Sequence, residues 1–204
     1  MTTSCISASA TLGANVRIGR FCIVEDDVQL ADGVILEDYA MVLRGATIGP
    51  RTKIGTYTKI GRDVRIGADC SFTSFCEIRD RCELGDRVLM GSRGTLSAGT
   101  VVEDDVVMKY AFVVTDTPDL TRNDRKSVGR LKRKSRFGAS VVIMPSVTIG
   151  ENAEIGACSQ VRKDVPDNEV WFGMPAKFYR KVETAAPAAA ADVPAAPLEA
   201  AAAH

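Results

Sequence analysis

Apolar side chains recur at every sixth position from Ile6 to Val114: Ile6, Leu12, Ile18, Val24 and so on through Ile48, Ile54, Ile60, Ile66, Phe72 and Ile78 to Met108 and Val114. All nineteen positions are apolar, where an average composition would fill only about half of them. A period of six is not a multiple of the 3.6-residue helical turn, and the residues between do not alternate simply. It is the period of a parallel β-helix with one hexapeptide per face and three per eighteen-residue coil. Two residues before each large apolar position stands a small or β-branched one, among them Cys22, Val28, Val34, Ala40, Thr52, Thr58, Cys70, Cys76 and Cys82. Each unit is therefore expected to turn one large and one small side chain inward. The residue after the large one is often Gly, as at Gly13, Gly49 and Gly61, which suggests a corner where glycine relieves the backbone.

The phase breaks once. After Val114 the pattern is read as resuming at Phe137 and continuing through Ile143, Ile149, Ile155 and Val161. Residues 115–136 are then an external loop, and loops of that length in a compact domain are usually functional or unstructured. The segment holds eight basic and three acidic side chains of the chain's 26 and 26, which leaves 18 and 23 elsewhere. Its run Leu131-Lys-Arg-Lys-Ser-Arg136 suits a pyrophosphate or the 3′-phosphate of a coenzyme. The alternatives are a solvated surface or a nucleic-acid patch, and no interleaved aromatics support the latter.

The 204 residues fit one elongated domain over 1–182. Residues 183–204 are an Ala/Pro-rich segment with nothing to bury, expected to be a disordered tail outside the fold, either native or left by expression. No run of 18 apolar residues suggests a membrane span, and the start MTTSCISASATLG lacks the basic and apolar regions of a secretory signal. With no need for disulfides, a cytoplasmic home is expected. Cys70, Cys76 and Cys82 lie six apart at inward positions. Without a fourth ligand or a short-spaced His they read as small fillers and not as a metal site.

The I-G-x4 units, the single loop and the closing run Phe172-Gly-Met-Pro-Ala-Lys-Phe-Tyr-Arg180 resemble the hexapeptide-repeat acyltransferases over about residues 6–182. The resemblance implies a left-handed parallel β-helix, an all-β homotrimer with the acyl donor bound along the seam between subunits. Leu84-Gly-Asp-Arg-Val, Val102-Glu-Asp-Asp-Val and Val113-Val-Thr-Asp116 are most similar to bacterial nucleotide-sugar N-acetyltransferases. That implies acetyl-CoA as co-substrate, a nucleotide-linked amino-deoxysugar as acceptor, and no metal. An O-acetyltransferase of a sugar or small alcohol shares most of this framework, and a non-catalytic β-helical scaffold is the alternative of another class.

One absence discriminates among these. The only His is His204, in the tail. A sugar hydroxyl needs a base to take its proton as the bond forms, whereas a neutral amine is already nucleophilic and sheds its proton after attack. The composition favours an amine acceptor and disfavours the carbonic anhydrase branch of the fold, which holds zinc with three His. Asp116 is the candidate catalytic residue, to orient the amine and accept its proton, although Asp beside Thr117-Pro118 also suits a turn. Relatives often carry Asn there. For the donor, Gly138, Ala139 and Ala157 form a column of small residues one coil apart, and Lys163 matches the position where similar enzymes meet a CoA phosphate. Gly138 also suits a corner, and Lys163 also suits a solvated coil end. Ser92 and Arg93 are the candidate sugar-nucleotide contacts.

Overall fold

The computed structural model describes residues 4–117 and 128–183. Among them every regular element is a strand: twenty-five two-residue strands from β1 (Cys5–Ile6) to β25 (Gln160–Val161), then β26 (Glu169–Gly173) and β27 (Ala176–Lys181). Every third strand stacks into the same sheet, giving three parallel faces of nine, eight and ten strands. Face 1 begins with β1, face 2 with β2 (Thr11–Leu12) and face 3 with β3 (Arg17–Ile18). The register is eighteen residues, as in Lys59 opposite Glu77 and Ile60 opposite Ile78. The result is a left-handed β-helix of about nine turns, an exception to the right-handed rule for parallel crossovers. An antiparallel pairing of β26 with β27 closes face 3. The expected tail lies outside the described residues from Thr184 onward.

The two inward positions behave as the repeat requires. The large residue (Ile54, Ile60, Phe72, Ile78) and the small one (Val28, Val34, Ala40, Val64) are both fully buried. Where the small residue is polar it closes a repeating hydrogen-bond pattern. Thr58 Oγ1 donates to Thr73 O at 2.9 Å and accepts the Cys76 N–H at 3.2 Å. Thr52 does the same with Gly67 O at 2.9 Å and the Cys70 N–H at 3.0 Å. Cys70, Cys76 and Cys82 donate S–H to three different carbonyls, those of Gly85, Gly91 and Ser97. They are fillers that also satisfy backbone, and no side-chain nitrogen or oxygen buried among the described residues lacks a partner.

Two expectations need correction. The coil resumes at β20 (Arg130–Leu131), which pairs with β17 (Val101–Val102), and not at Phe137. Val101 and Arg130 are 29 residues apart instead of 18, so the insertion adds 29 − 18 = 11 residues. Leu131 and Ser135 are fully buried and supply the large and small inward groups of these units. Four of the five charges beside and between them point outward onto carboxylates: Arg130 to Glu103 at 3.6 Å, Lys132 to Asp167 at 3.4 Å, Arg133 to Glu151 at 3.2 Å and Arg136 to Glu154 at 3.3 Å. The basic run is a neutralised face of the helix. The rest of the expected loop, 118–127, lies outside the described residues.

The glycines after the large positions do not take the left-handed conformation. Positive φ falls two residues further on, and mostly on other residues: Asn15, Asp27, Arg51, Asp63 and Asp69 at 53–58°. What glycine provides at Gly49 is close approach, since a Cβ there would lie 2.5 Å from the Gly67 carbonyl carbon of the next coil. At the corner between faces 3 and 1 the left-handed residues of the first four coils are Phe21, Tyr39, Tyr57 and Phe75. Their rings stack with centroids 5.0, 4.6 and 5.1 Å apart. A left-handed conformation costs a non-glycine residue roughly 1–2 kcal/mol, and stacking of about 0.5–1.5 kcal/mol per pair offsets much of that.

Two outcomes follow for stability. Thr58→Val keeps the shape but orphans the Cys76 N–H and the Thr73 carbonyl, so urea unfolding should show a loss of about 1–3 kcal/mol; an unchanged midpoint would contradict the ladder. Burial pushes the Cys70 and Cys82 thiols from 9.0 up to about 11. A raised folded pKa contributes stability that is fully present below the unfolded value and lost as pH rises from about 9 through about 11. Hydrogen bonds from Arg20, Arg51 and Arg87 hold Asp38, Asp69 and Asp105 below the usual carboxylate range. Their smaller, solvent-screened contribution is present above the unfolded value of about 3.9 and lost as pH falls below it. Thermal melts should show a plateau between these limits, and a Cys70→Val/Cys82→Val pair should soften the alkaline fall; an identical alkaline limb would assign it to other groups.

Candidate active site

Face 1 carries the candidate chemistry along its two edges. The edge towards face 2 bears, in ascending coils, Arg79-Asp80-Arg81, Ser97-Ala98-Gly99, Thr115-Asp116-Thr117 and, near the top, Arg162-Lys163. Asp116 sits half-buried where the insertion leaves the helix. The residue before it is fixed from both ends, because the Thr115 N–H and Oγ1 each donate to Ile143 O at 3.0 Å. The residue before Asp116 is thus anchored, and Asp116 stands one coil above the low shelf of Ser97, Ala98 and Gly99. Val128, where the described chain resumes, packs on Gly99, since a Cβ there would meet its Cγ1 at 2.9 Å.

The edge towards face 3 bears Ser92-Arg93, Tyr110-Ala111, Gly138-Ala139 and Gly156-Ala157. At several corners of the helix the second N–H after a large position is capped by an Asp one coil on: Ala14 by Asp32, Arg62 by Asp80, Ala68 by Asp86, at 2.8–2.9 Å. Above Ala139 the capping position holds Ala157 instead of Asp. Among the described residues the Ala139 and Ala157 N–H groups have no acceptor, although the Ala139 carbonyl takes the Cys158 N–H at 2.9 Å. Gly138 allows the tight stacking beneath, where a Cβ would fall 2.5 Å from the Ala157 nitrogen. The geometry presents two uncapped backbone donors, one coil apart, on a stretch of Gly and Ala with Phe172 against Gly156 above and Tyr110 one coil below. Ser92, on the same edge two coils below Ala139, shares a hydrogen bond with Thr73 at 2.9 Å. Arg93 is exposed, with no ion pair among the described residues.

The structure brings Gly138, Ala139 and Ala157 together, with Ser92 and Arg93 on the same edge. It does not bring Asp116 to them. Five residues of strand and corner, roughly 15 Å at the rise of a strand, separate the two edges of one chain. Lys163 belongs to a third feature. It lines a cavity of about 570 Å³ with Arg162, Trp171, Pro175, Ala176, Lys177 and Phe178. Trp171 is braced by its Nε1–H to Glu169 at 2.8 Å, and Glu169 is held in turn by Lys181 at 2.7 Å. Two ring walls and three cations suit a flat heterocycle carrying phosphates. Trp171, Lys177 and Phe178 were not singled out from the sequence. Their signal was the cluster of rings and cations in the closing run, which shows a cavity only once the hairpin folds back over the last coil.

Among the described residues no three His, Cys, Asp or Glu side chains are arranged to hold a metal, and no helix is long and apolar enough to cross a membrane.

No family model matches the chain. Over 46 residues it is 53% identical to a galactoside O-acetyltransferase of Lactococcus lactis subsp. lactis (strain IL1403), a match covering 22% of each chain. The chain thus spans about a fifth of the length of that curated relative. Among solved structures, LpxA of Acinetobacter baumannii superposes with a TM-score of 0.80 at 19% identity, covering 89% of this chain and 73% of that one. The polySia-specific acetyltransferase NeuO gives 0.57 at 18% identity over 90% and 87%. These structural likenesses speak to the fold, and the local identity speaks to the repeats that build it. By period and by architecture the chain shares the left-handed, hexapeptide-repeat β-helix fold of these acyltransferases, and over 46 residues of repeat it is similar in sequence to one of them.

Proposed function

We propose that this protein transfers an acetyl group from acetyl-CoA to the amino group of a nucleotide-linked amino-deoxysugar, in the cytoplasm and as a homotrimer. The observation that carries the reading is the pair of uncapped N–H groups at Ala139 and Ala157. They offer hydrogen bonds to the pantetheine amides and the thioester carbonyl on a wall low enough for the arm to lie against it. Donors aimed at the developing oxyanion are among the larger contributions to acyl transfer. The cavity at Lys163 lies at the top of the same helix and receives the nucleotide end, with Trp171 and Phe178 against the adenine and Arg162, Lys163 and Lys177 on the phosphates.

The separation of Asp116 from Ala139 explains why three chains are required. In a trimer the Asp116 edge of one subunit faces the Ala139 edge of its neighbour, and the 15 Å gap within one chain becomes a cleft between two. There the amine nitrogen bonds to the thioester carbon, the carbon–sulfur bond breaks, and CoA leaves as thiolate. The surplus ammonium proton passes to Asp116 and from there to the thiolate or solvent. Ser92 and Arg93 line the floor of that cleft and contact the sugar nucleotide. O-acetylation is the second reading, favoured by the local identity with a galactoside O-acetyltransferase. Against it stands the lack of any His before His204 to deprotonate a hydroxyl.

With an amino-sugar nucleotide as acceptor, kcat/KM should rise with pH through the amine's own pKa and then level off. Asp116→Asn should lower it by about 10²–10⁴-fold, and Asp116→Ala by more, with circular dichroism unchanged. Near-full activity in both would make Asp116 a turn residue. Lys163→Glu should raise KM for acetyl-CoA several-fold to tens-fold, as expected for a charge contact worth about 1 kcal/mol or more, while kcat stays close to wild type. An unchanged KM would remove Lys163 from the donor site.

A further inference from the structure

Most arginines of this helix are neutralised by a carboxylate one coil away. Arg51 grips Asp69 through two bonds of 2.6 and 2.7 Å, Arg87 grips Asp105 at 2.6 and 3.1 Å, and Arg65 meets Glu83 at 3.0 Å. Arg79 and Arg81 break the pattern. Both are exposed, and among the described residues neither guanidinium has an ion-pair or hydrogen-bond partner. The reason lies in their columns. One coil above Arg79 is Ser97 and one coil below is Gly61; above Arg81 is Gly99, and the Asp63 beneath it leans down over Gly45.

The two arginines share a concavity of about 270 Å³ with Lys59, Arg62, Glu77 and Asp80. Its two carboxylates are already engaged: Glu77 with Lys59 at 3.7 Å, and Asp80 with Arg62 at 3.9 Å and with the Arg62 N–H at 2.9 Å. Four cations against two engaged carboxylates leave a surplus of two positive charges on one recessed ledge. That ledge lies on the Asp116 edge of face 1, two coils beneath Thr115, or about 10 Å at the spacing of adjacent strands. The shelf between them is Ser97, Ala98 and Gly99, with Val128 packed on Gly99.

We infer that Arg79 and Arg81 hold the diphosphate of the acceptor, so that the enzyme selects an anionic sugar nucleotide over a neutral amino sugar. The inference rests on the reading that places acetyl transfer at Asp116. About 10 Å is the span of a pyranose ring and the first phosphates beyond it. An amine delivered to Asp116 thus leaves the diphosphate at the two planar, unpaired guanidinium groups, which suit phosphate oxygens. Two free guanidiniums near each other repel unless an anion sits between them, and among the described residues the two carboxylates of this ledge pair with Lys59 and Arg62 instead.

Calorimetric titration of the full chain with UDP, inorganic pyrophosphate and uridine tests the anchor. Wild type should bind UDP and pyrophosphate and bind uridine far more weakly. Arg79→Gln and Arg81→Gln should each weaken UDP binding about ten-fold or more, the loss expected of one charge-assisted contact. Acetyl-CoA binding and thermal stability should stay as in wild type. Arg65→Gln, on face 2, is the control and should leave UDP binding unchanged. Equal UDP affinity in wild type and both variants, or uridine binding as tightly as UDP, overturns the inference. The two readings fail separately. If UDP binding depends on both arginines but no amine-bearing nucleotide sugar is acetylated, the anchor stands and the proposed reaction falls. If acetylation proceeds with the acceptor KM unchanged in Arg79→Gln, the anchor falls and the reaction stands.

Discussion

Backbone pairing between coils is the constraint on which the rest of this molecule depends. Each two-residue strand and the residue after it hand N–H groups to the coil above, as in Lys59 to Cys76 at 2.9 Å and Gly61 to Ile78 at 2.7 Å. With strands this short, a coil has almost no interactions that do not repeat at the next level. Every residue therefore lives in a column with those eighteen positions away, and side chains in a column stack at about 4.8 Å. Large apolar groups stack into the axis, and Arg over Asp stacks along the corners. A charge or ring that would be unremarkable elsewhere has to be compatible with its copies above and below.

That constraint also explains where chemistry can be placed. A solenoid of this kind has no central pocket, because its axis is filled, so its only adjustable surface is the pattern of what each column does or does not neutralise. Three departures lie on or near face 1. Ala157 stands where an Asp would cap Ala139. Ser97 and Gly99 stand where acids would neutralise Arg79 and Arg81. The eleven-residue insertion leaves the helix at Asp116. Each is a local failure of the repeat to satisfy its own polar groups, and each leaves a donor, a cation or a carboxylate free for a ligand. Bringing the two edges of the face together requires neighbouring subunits, which ties the proposed trimer to the position of the site.

Much of the fold was legible in the sequence because a six-residue period is a direct image of the coil. Ile54, Ile60, Phe72 and Ile78 are fully buried, as are their small companions. The end of the insertion was misplaced because Leu131 sits within a basic run, and local charge outweighed its six-residue phase with Phe137. The role of the corner glycines was misread because sequence does not separate a residue needing positive φ from one needing close approach; Asp63 at φ 53° and Gly49 against Gly67 show the difference. The candidate site was only partly legible. Gly138, Ala139 and Ala157 are eighteen residues of register apart and could be grouped from the repeat alone. The ring-and-cation cavity at Lys163 and the unpaired state of Arg79 and Arg81 depend on which carboxylate each side chain reaches, and composition hides that.

The proposed reaction acylates an amine without a histidine base. The most direct measurement follows CoA release from acetyl-CoA with two acceptors that differ in one atom: a nucleotide-linked sugar bearing a ring amine, and the same compound with a hydroxyl at that position. The account predicts stoichiometric CoA release and one new amide with the amine, and release no faster than background hydrolysis with the hydroxyl. Equal or faster transfer to the hydroxyl would contradict it.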